Sequence, residues 1–384
     1  MNNLLTWLKD TMLIERFSGV ALYVAVTALA YLSLKNAKSD RKVHSILRMT
    51  LIALSVMAFF YIPTKHADLF RLREIMSLWE NTSFSEFFDT YLRHASTPAS
   101  YLLMYLAEKT QIEGVLPAAV CAMFFTAVFS ILRTEYKENE ASSFAVSHVF
   151  LFFMASGGFL EVISGIRCFL SLSIVAWCVY KETACDRAFA KDILLYIIAC
   201  TLHLAAIPVV GLRIAYLFVC DIKGRGIRIG NMIMALAFCT VALVFGKDYL
   251  LAATEKGSTY ITQEIYGYTW EYLIGGICLA VIILTLVKYG KIRNNKKYSR
   301  LKSLSVFCAL MATVEVCFCF EYSIFHRFVM FNTIIALPVI SAVIDSEREK
   351  KQALYINSLR LLTYMIFAIA CTRGNLCGYK FFIL

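Results

Sequence analysis

The sequence predicts an all-α fold: a polytopic integral membrane bundle of about twelve transmembrane helices, read as one membrane domain over residues 1–384. Three observations carry this. Hydrophobic residues make up 59% of the chain and charged residues only 17%, where soluble domains hold about 25% charged residues. Mean hydropathy is +0.66. Apolar runs of membrane length recur from one end to the other. The net charge of +11 would suggest nucleic acid in a soluble protein, but here the positive-inside bias accounts for it, and no nucleic-acid partner is expected.

Residues 1–16 read as a short amphipathic lead-in, with no cleaved signal peptide. Membrane helices are then expected near 17–34, 45–62, 115–132, 143–160, 162–180, 191–207, 208–220, 229–246, 271–288, 303–320, 324–344 and 354–371. Pro208 supplies the break between the sixth and seventh. The alternate loops that hold Lys35, Lys38, Arg41, Arg133, Lys181, Arg187, Lys223, Arg228, Lys288–Lys302 and Arg348–Lys351 are about twice as rich in Lys and Arg as the other set. That set is therefore cytoplasmic, and both termini are outside.

The longest outer segment, 63–114, spaces Leu69, Leu72, Ile75, Met76 and Trp79 as the apolar face of an amphipathic helix, with Pro98 marking a break. A second outer loop, 247–270, is rich in Tyr and Thr. Gly224, Gly226 and Gly230 lie in a basic loop without the preceding strand that a dinucleotide site needs. The chain has 13 cysteines, but most fall inside apolar runs, and none clusters with histidine at zinc-ligand spacing. No metal site and no cofactor is expected.

The stretch Phe159 to Tyr180 sets Arg167 inside an apolar run. A charge at the bilayer centre costs about 2.5–3.5 kcal/mol on insertion scales. Arg167 either snorkels to the interface or waits for a phosphate. Glu161, His203, Arg213, Glu315, Glu321, His326 and Arg327 are expected at similar depth on the outer side, with Arg93 and His94 in the first outer loop. So many polar groups on one side favour a wet cavity that binds an anion. Arginine offers bidentate donors for phosphate oxygens, and histidine moves protons near neutral pH. The combination suits a lipid diphosphate. His148, near the inner side, reads as a packing residue, and Arg360 lies in the last helix.

The segments ISGIRCFLSLSI and ACTLHLAAIPVV resemble the paired Arg and His helices of the EpsG group of Wzy-type polysaccharide polymerases. STPASYLLMYLAEKT resembles that family's segment before its third helix, and HRFVMFNTIIALPVI its late arginine helix. The resemblance runs over roughly residues 85–345. Cys168 stands where the family often has Gln, and Ala205 where it often has Ser.

The resemblance implies a membrane glycosyltransferase of the bacterial cytoplasmic membrane, and the lack of a metal-ligand cluster, with arginines to do the work of a cation, predicts that it is metal-independent. Such an enzyme joins oligosaccharide repeat units carried on polyprenyl (undecaprenyl) diphosphate, for exopolysaccharide, capsule or O-antigen, on the extracytoplasmic face. A flippase and a chain-length regulator are the implied protein partners. Arg167 and Arg327 match the family's arginines and His203 its histidine. The expected site therefore has Arg167, Arg327, Arg213 and Arg93 on the diphosphate, and His203, Glu161 or Glu321 as the base. A flippase for the same lipid-linked sugars is disfavoured by the outer bias of the charges. A glycan ligase shares the donor chemistry. An acyltransferase would need a catalytic histidine near the inner side, where His148 is the candidate.

Overall fold

The computed structural model describes residues 11–63, 67–220 and 269–372. The expected helix near 229–246 and the 247–270 loop's aromatic cluster up to Tyr268 lie outside the described residues, as do the 224–230 glycines. In order the helices are α1 (Thr11–Lys35), α2 (Asp40–Phe59), α3 (Asp68–Ser77), α4 (Phe84–Phe87, continued by a π-helical turn Phe88–Leu92) and α5 (Pro98–Glu108). Next come α6 (Val115–Glu138), α7 (Ser143–Ser156), α8 (Phe159–Ser164), α9 (Ile166–Ala184), α10 (Ile193–Leu202) and α11 (Ala206–Cys220). Beyond the undescribed stretch follow α12 (Thr269–Gly290), α13 (Lys302–Cys317), α14 (Tyr322–Glu349) and α15 (Leu354–Thr372). Asp40–Phe59, Val115–Glu138, Tyr272–Gly290, Ile324–Glu349 and Leu354–Cys371 are long and apolar enough to cross a membrane. They make this a helical membrane protein.

The chain divides into two compact units. The first is drawn from Met1–Ser83, Leu103–Ile166 and Leu354–Leu384, the second from Phe84–Leu102 and Arg167–Ala353.

In the first unit α1 packs on α7, α2 on α6 and α15 on α7. The ends of these helices are set by local chemistry. The Ser39 hydroxyl accepts from the Lys42 amide and starts α2, and Ser142 does the same for α7 through the Ala145 amide. At the end that carries Lys35 and Lys38, Arg133 pairs with Asp40 at 3.1 Å and the Ser143 hydroxyl donates to the Ala37 carbonyl. At the opposite end the Tyr23 hydroxyl donates to the Met154 carbonyl at 2.7 Å.

The amphipathic reading of 63–114 holds for α3. Leu69, Leu72, Met76 and the following Trp79 are buried, while Ile75 is exposed. Lys109 Nζ donates to the carbonyls of Trp79, Glu80 and Thr82 at 3.1, 2.9 and 2.8 Å, so one cation closes the chain end that follows α3. Arg73 pairs with Glu113 at 2.6 Å. Burial holds the Arg73 guanidinium below its ordinary value, against the pull of Glu113. Gly114 is required by close approach: a Cβ there would lie 2.3 Å from the Phe59 carbonyl oxygen.

In the second unit two contacts fix the relative direction of α12 and α14. Tyr272 stacks on Phe325 at 5.9 Å near the start of each helix, and Lys288 pairs with Glu347 at 3.3 Å near the end of each. The two run parallel. Their close approach needs Gly275, where a Cβ would come within 2.8 Å of the Phe325 ring. α13 returns beside them, with Phe318 against Phe328 and the Asn332 amide donating to the Cys308 carbonyl at 3.2 Å. Lys288, Tyr298 and Ser303 thus share a basic end, and Tyr272, Glu321 and Phe325 share the other.

The same unit corrects the expected helices at 191–207 and 208–220. The break falls at His203–Ala205, and Pro208 sits in the first turn of α11. A first-turn proline loses nothing, because its missing N–H has no intrahelical partner there. At 10 residues α10 spans about 15 Å, half of a bilayer core. Both helices point back to one place: Tyr196 of α10 and Arg213 of α11 both bind Glu182, in the last turn of α9, at 2.8 Å. α10 and α11 therefore form a hairpin that leaves and returns to the basic end. The Tyr216 hydroxyl on the Ser303 carbonyl at 3.0 Å agrees with this. Asp192, just before α10, pairs with Arg187 at 2.8 Å, and Arg187 lies over the Trp177 ring. Burial raises the Asp192 carboxyl above the ordinary range, opposed by Arg187 and Lys191.

Candidate functional site

Arg167 is the second residue of α9, half-buried, and makes no ion pair among the described residues. Two residues on, Phe169 meets His326 of α14 edge to face at 5.9 Å. His326 precedes Arg327 and stacks on Tyr322 at 5.5 Å. The turns that carry Arg167 and Arg327 are therefore neighbours, at the end of the unit away from the basic loops. Two guanidinium-bearing turns side by side offer several N–H donors to an anion. A diphosphate, with its spread charge and bidentate oxygens, suits such a pair.

Glu321 stands at this same end. It is buried and immediately precedes α14, whose Phe325 amide donates to the Glu321 carbonyl at 2.9 Å. Tyr272 and Tyr322 lie 5.2 Å apart beside it and offer aromatic faces. Deeper in, Glu315 of α13 is fully buried and lies against Asn332.

His203 takes a different place. It is half-buried at the tip of the α10–α11 hairpin, and its Nδ1 accepts from the Ala205 amide at 3.0 Å. In the neutral ring this puts the proton on Nε2, which makes that atom a donor. By helical rise the tip stands about 10 Å from the Glu182 level, whereas Arg167 stands about 22 Å from it along α9. His203 thus lies about 12 Å below the Arg167 turn, too far for direct contact.

Arg213 does not join the set. Its expected position on the outer half of a membrane helix is corrected by its Nε, which donates to Glu182 at 2.8 Å at the far end of α9. Both side chains are buried, and Arg213 also lies over the Tyr216 ring. A carboxylate buried that deeply needs a cation, and Arg213 supplies it. Arg93 is exposed just after the π-helical turn and makes no ion pair among the described residues. Glu161 lies in the first unit, in the first turn of α8 after Gly158, whose φ of +48° suits glycine.

His326 carries the contact that sets the pair of arginine turns, yet only its place beside Arg327 marked it in sequence. Among the described residues no group of three or more His, Cys, Asp or Glu is placed to hold a metal ion. The cysteines among them, including buried Cys121, Cys168, Cys178, Cys278 and Cys308, are free thiols.

No curated protein and no solved structure matches the chain. A model of the EpsG family matches residues 68–382, most of the length. An all-helical membrane protein with an arginine on each of two adjoining helix starts, matched over that span, belongs to the EpsG family.

Proposed function

We propose that this protein is a polymerase-type membrane glycosyltransferase that joins oligosaccharide repeat units carried on polyprenyl diphosphate, on the extracytoplasmic side. The observation that carries the reading is the pairing of the Arg167 and Arg327 turns through Phe169 and His326, in a chain of the EpsG family. The acceptor hydroxyl oxygen forms a bond to the donor's anomeric carbon. The bond from that carbon to the diphosphate oxygen breaks, and its electron pair leaves with the diphosphate. Arg167 and Arg327 hold that growing charge without a metal ion, as preorganised donors in a low-dielectric site. The acceptor's proton goes to a base. Glu321 is the better placed for this, being at the arginine end, while His203 donates through Nε2 from below. Tyr272 and Tyr322 give sugar rings a stacking surface.

The test is the glycan profile of a strain lacking this chain, complemented with the wild type. Loss of polymer with single lipid-linked repeat units retained supports the reading. Polymer that persists on its lipid but fails to reach its final acceptor shows a ligase instead. Absence of lipid-linked units from the outer face shows a flippase.

A further inference from the structure

A second arginine site lies in the first unit, outside the chemistry above. Arg360 of α15 donates through Nε to His148 Nε2 at 2.8 Å and lies over the Phe144 ring, 5.4 Å from its centre. His148 is 3% exposed, and its Nδ1 donates to the Phe144 carbonyl at 2.7 Å. A carbonyl only accepts, so the proton sits on Nδ1 and Nε2 is a bare acceptor. A neutral ring thus orients the guanidinium and contributes no negative charge. The Tyr31 hydroxyl lies 3.3 Å from the same Nε2. Among the described residues Arg360 has no acidic partner, and its two terminal nitrogens are not buried without a bond.

The depth and surroundings of this arginine indicate its ligand. Arg360 is about 9 Å along α15 from its start, His148 about 8 Å along α7, and Tyr31 about 6 Å back from the end of α1. All three lie just inside the end that carries Lys35, Lys38 and Arg41. Deeper along the same helices the surface is apolar and open: Leu29 is 66% exposed, Leu361 62%, Tyr364 55% and Met365 44%. An unneutralised fork at headgroup depth above an open apolar stripe fits a molecule with an oxyanion at one end and acyl chains at the other.

We propose that Arg360, held in place by His148, seats the phosphodiester of an anionic phospholipid of the leaflet at the Lys35 end. Arg360 is the binding residue and His148 a positioning residue. Nothing in this rests on the glycosyl-transfer reading.

The experiment titrates purified full-length protein in a neutral detergent with phosphatidylglycerol, diacylglycerol or inorganic phosphate. It follows the thermal unfolding midpoint and, by native mass spectrometry, the lipid retained. Phosphatidylglycerol should bind saturably and raise the midpoint, and the other two should not. Arg360→Gln should weaken binding about tenfold or more, the worth of charge-assisted hydrogen bonds, and Arg360→Lys should fall between. His148→Gln restores an acceptor for Arg360 Nε and should bind nearly as wild type, whereas His148→Leu should follow Arg360→Gln. Arg41→Gln, an exposed cation at the same end, should bind as wild type. Undiminished phosphatidylglycerol binding by folded Arg360→Gln overturns the proposal. So does an equal loss in Arg41→Gln, which would mean diffuse surface charge, or an equal shift with inorganic phosphate alone, which would mean a site for free anions.

Discussion

Phe169 and His326 stand edge to face, 5.9 Å apart, and that contact brings together the helix turns that carry two arginines 160 residues apart in sequence (327 − 167). The expected consequence is that Arg167 and Arg327 act as a pair on one diphosphate. Arg167→Lys and Arg327→Lys keep the charge and lose the planar fork, so polymer synthesis should fall about a hundred- to thousand-fold at normal protein level. Combining them should cost less than the product of the two losses. Polymer near the wild-type level from Arg167→Lys returns that residue to simple snorkelling.

Arg213 should behave as a structural cation. Arg213→Leu alone leaves Glu182 buried without its cation, at a cost of about 3–5 kcal/mol, so the folded level in membranes should drop. Adding Glu182→Leu should recover much of that level, because an apolar pair replaces a buried ion pair at little cost. The double variant should still make polymer in proportion to its folded protein. A well-folded double variant without polymer would put Arg213 back on the substrate.

The α10–α11 hairpin gives a topological expectation. In a background without native cysteines, Lys191→Cys and Lys223→Cys should react with an impermeant reagent from the same, cytoplasmic, side. Positions in 63–114 and 247–270 should react from the other side, and positions in 289–302 from the cytoplasm. Exchange of sides between 247–270 and 289–302 would mean that an odd number of crossings precedes 247–270.

Metal dependence separates arginine-based charge stabilisation from cation-based chemistry. Purified protein supplied with lipid-linked repeat units should elongate them in excess chelator at its usual rate. Activity lost with chelator and restored by magnesium or manganese would contradict the role given to Arg167 and Arg327.

The sequence by itself determined the class, the family resemblance and most helix positions, because membrane crossings announce themselves through length and apolarity. It also singled out Arg167, since a charge in an apolar run stands out against its neighbours. It marked the apolar face of α3, where helical periodicity shows without any partner in view. Which polar groups meet was decided by tertiary structure alone. Arg213 reads in sequence as one more outer arginine, and only the apposition of α11 on the end of α9 shows that Glu182 neutralises it. His203 reads as the end of a crossing, but the break three residues before the first-turn Pro208 turns two apolar runs into a half-depth hairpin with the histidine at its tip. His148 reads as a packing residue, yet it holds Arg360 through a nitrogen whose protonation is set by the Phe144 carbonyl. Hydropathy records how apolar each stretch is, whereas the partner of a buried charge depends on helix direction and register, which are set by contacts between residues far apart in the chain.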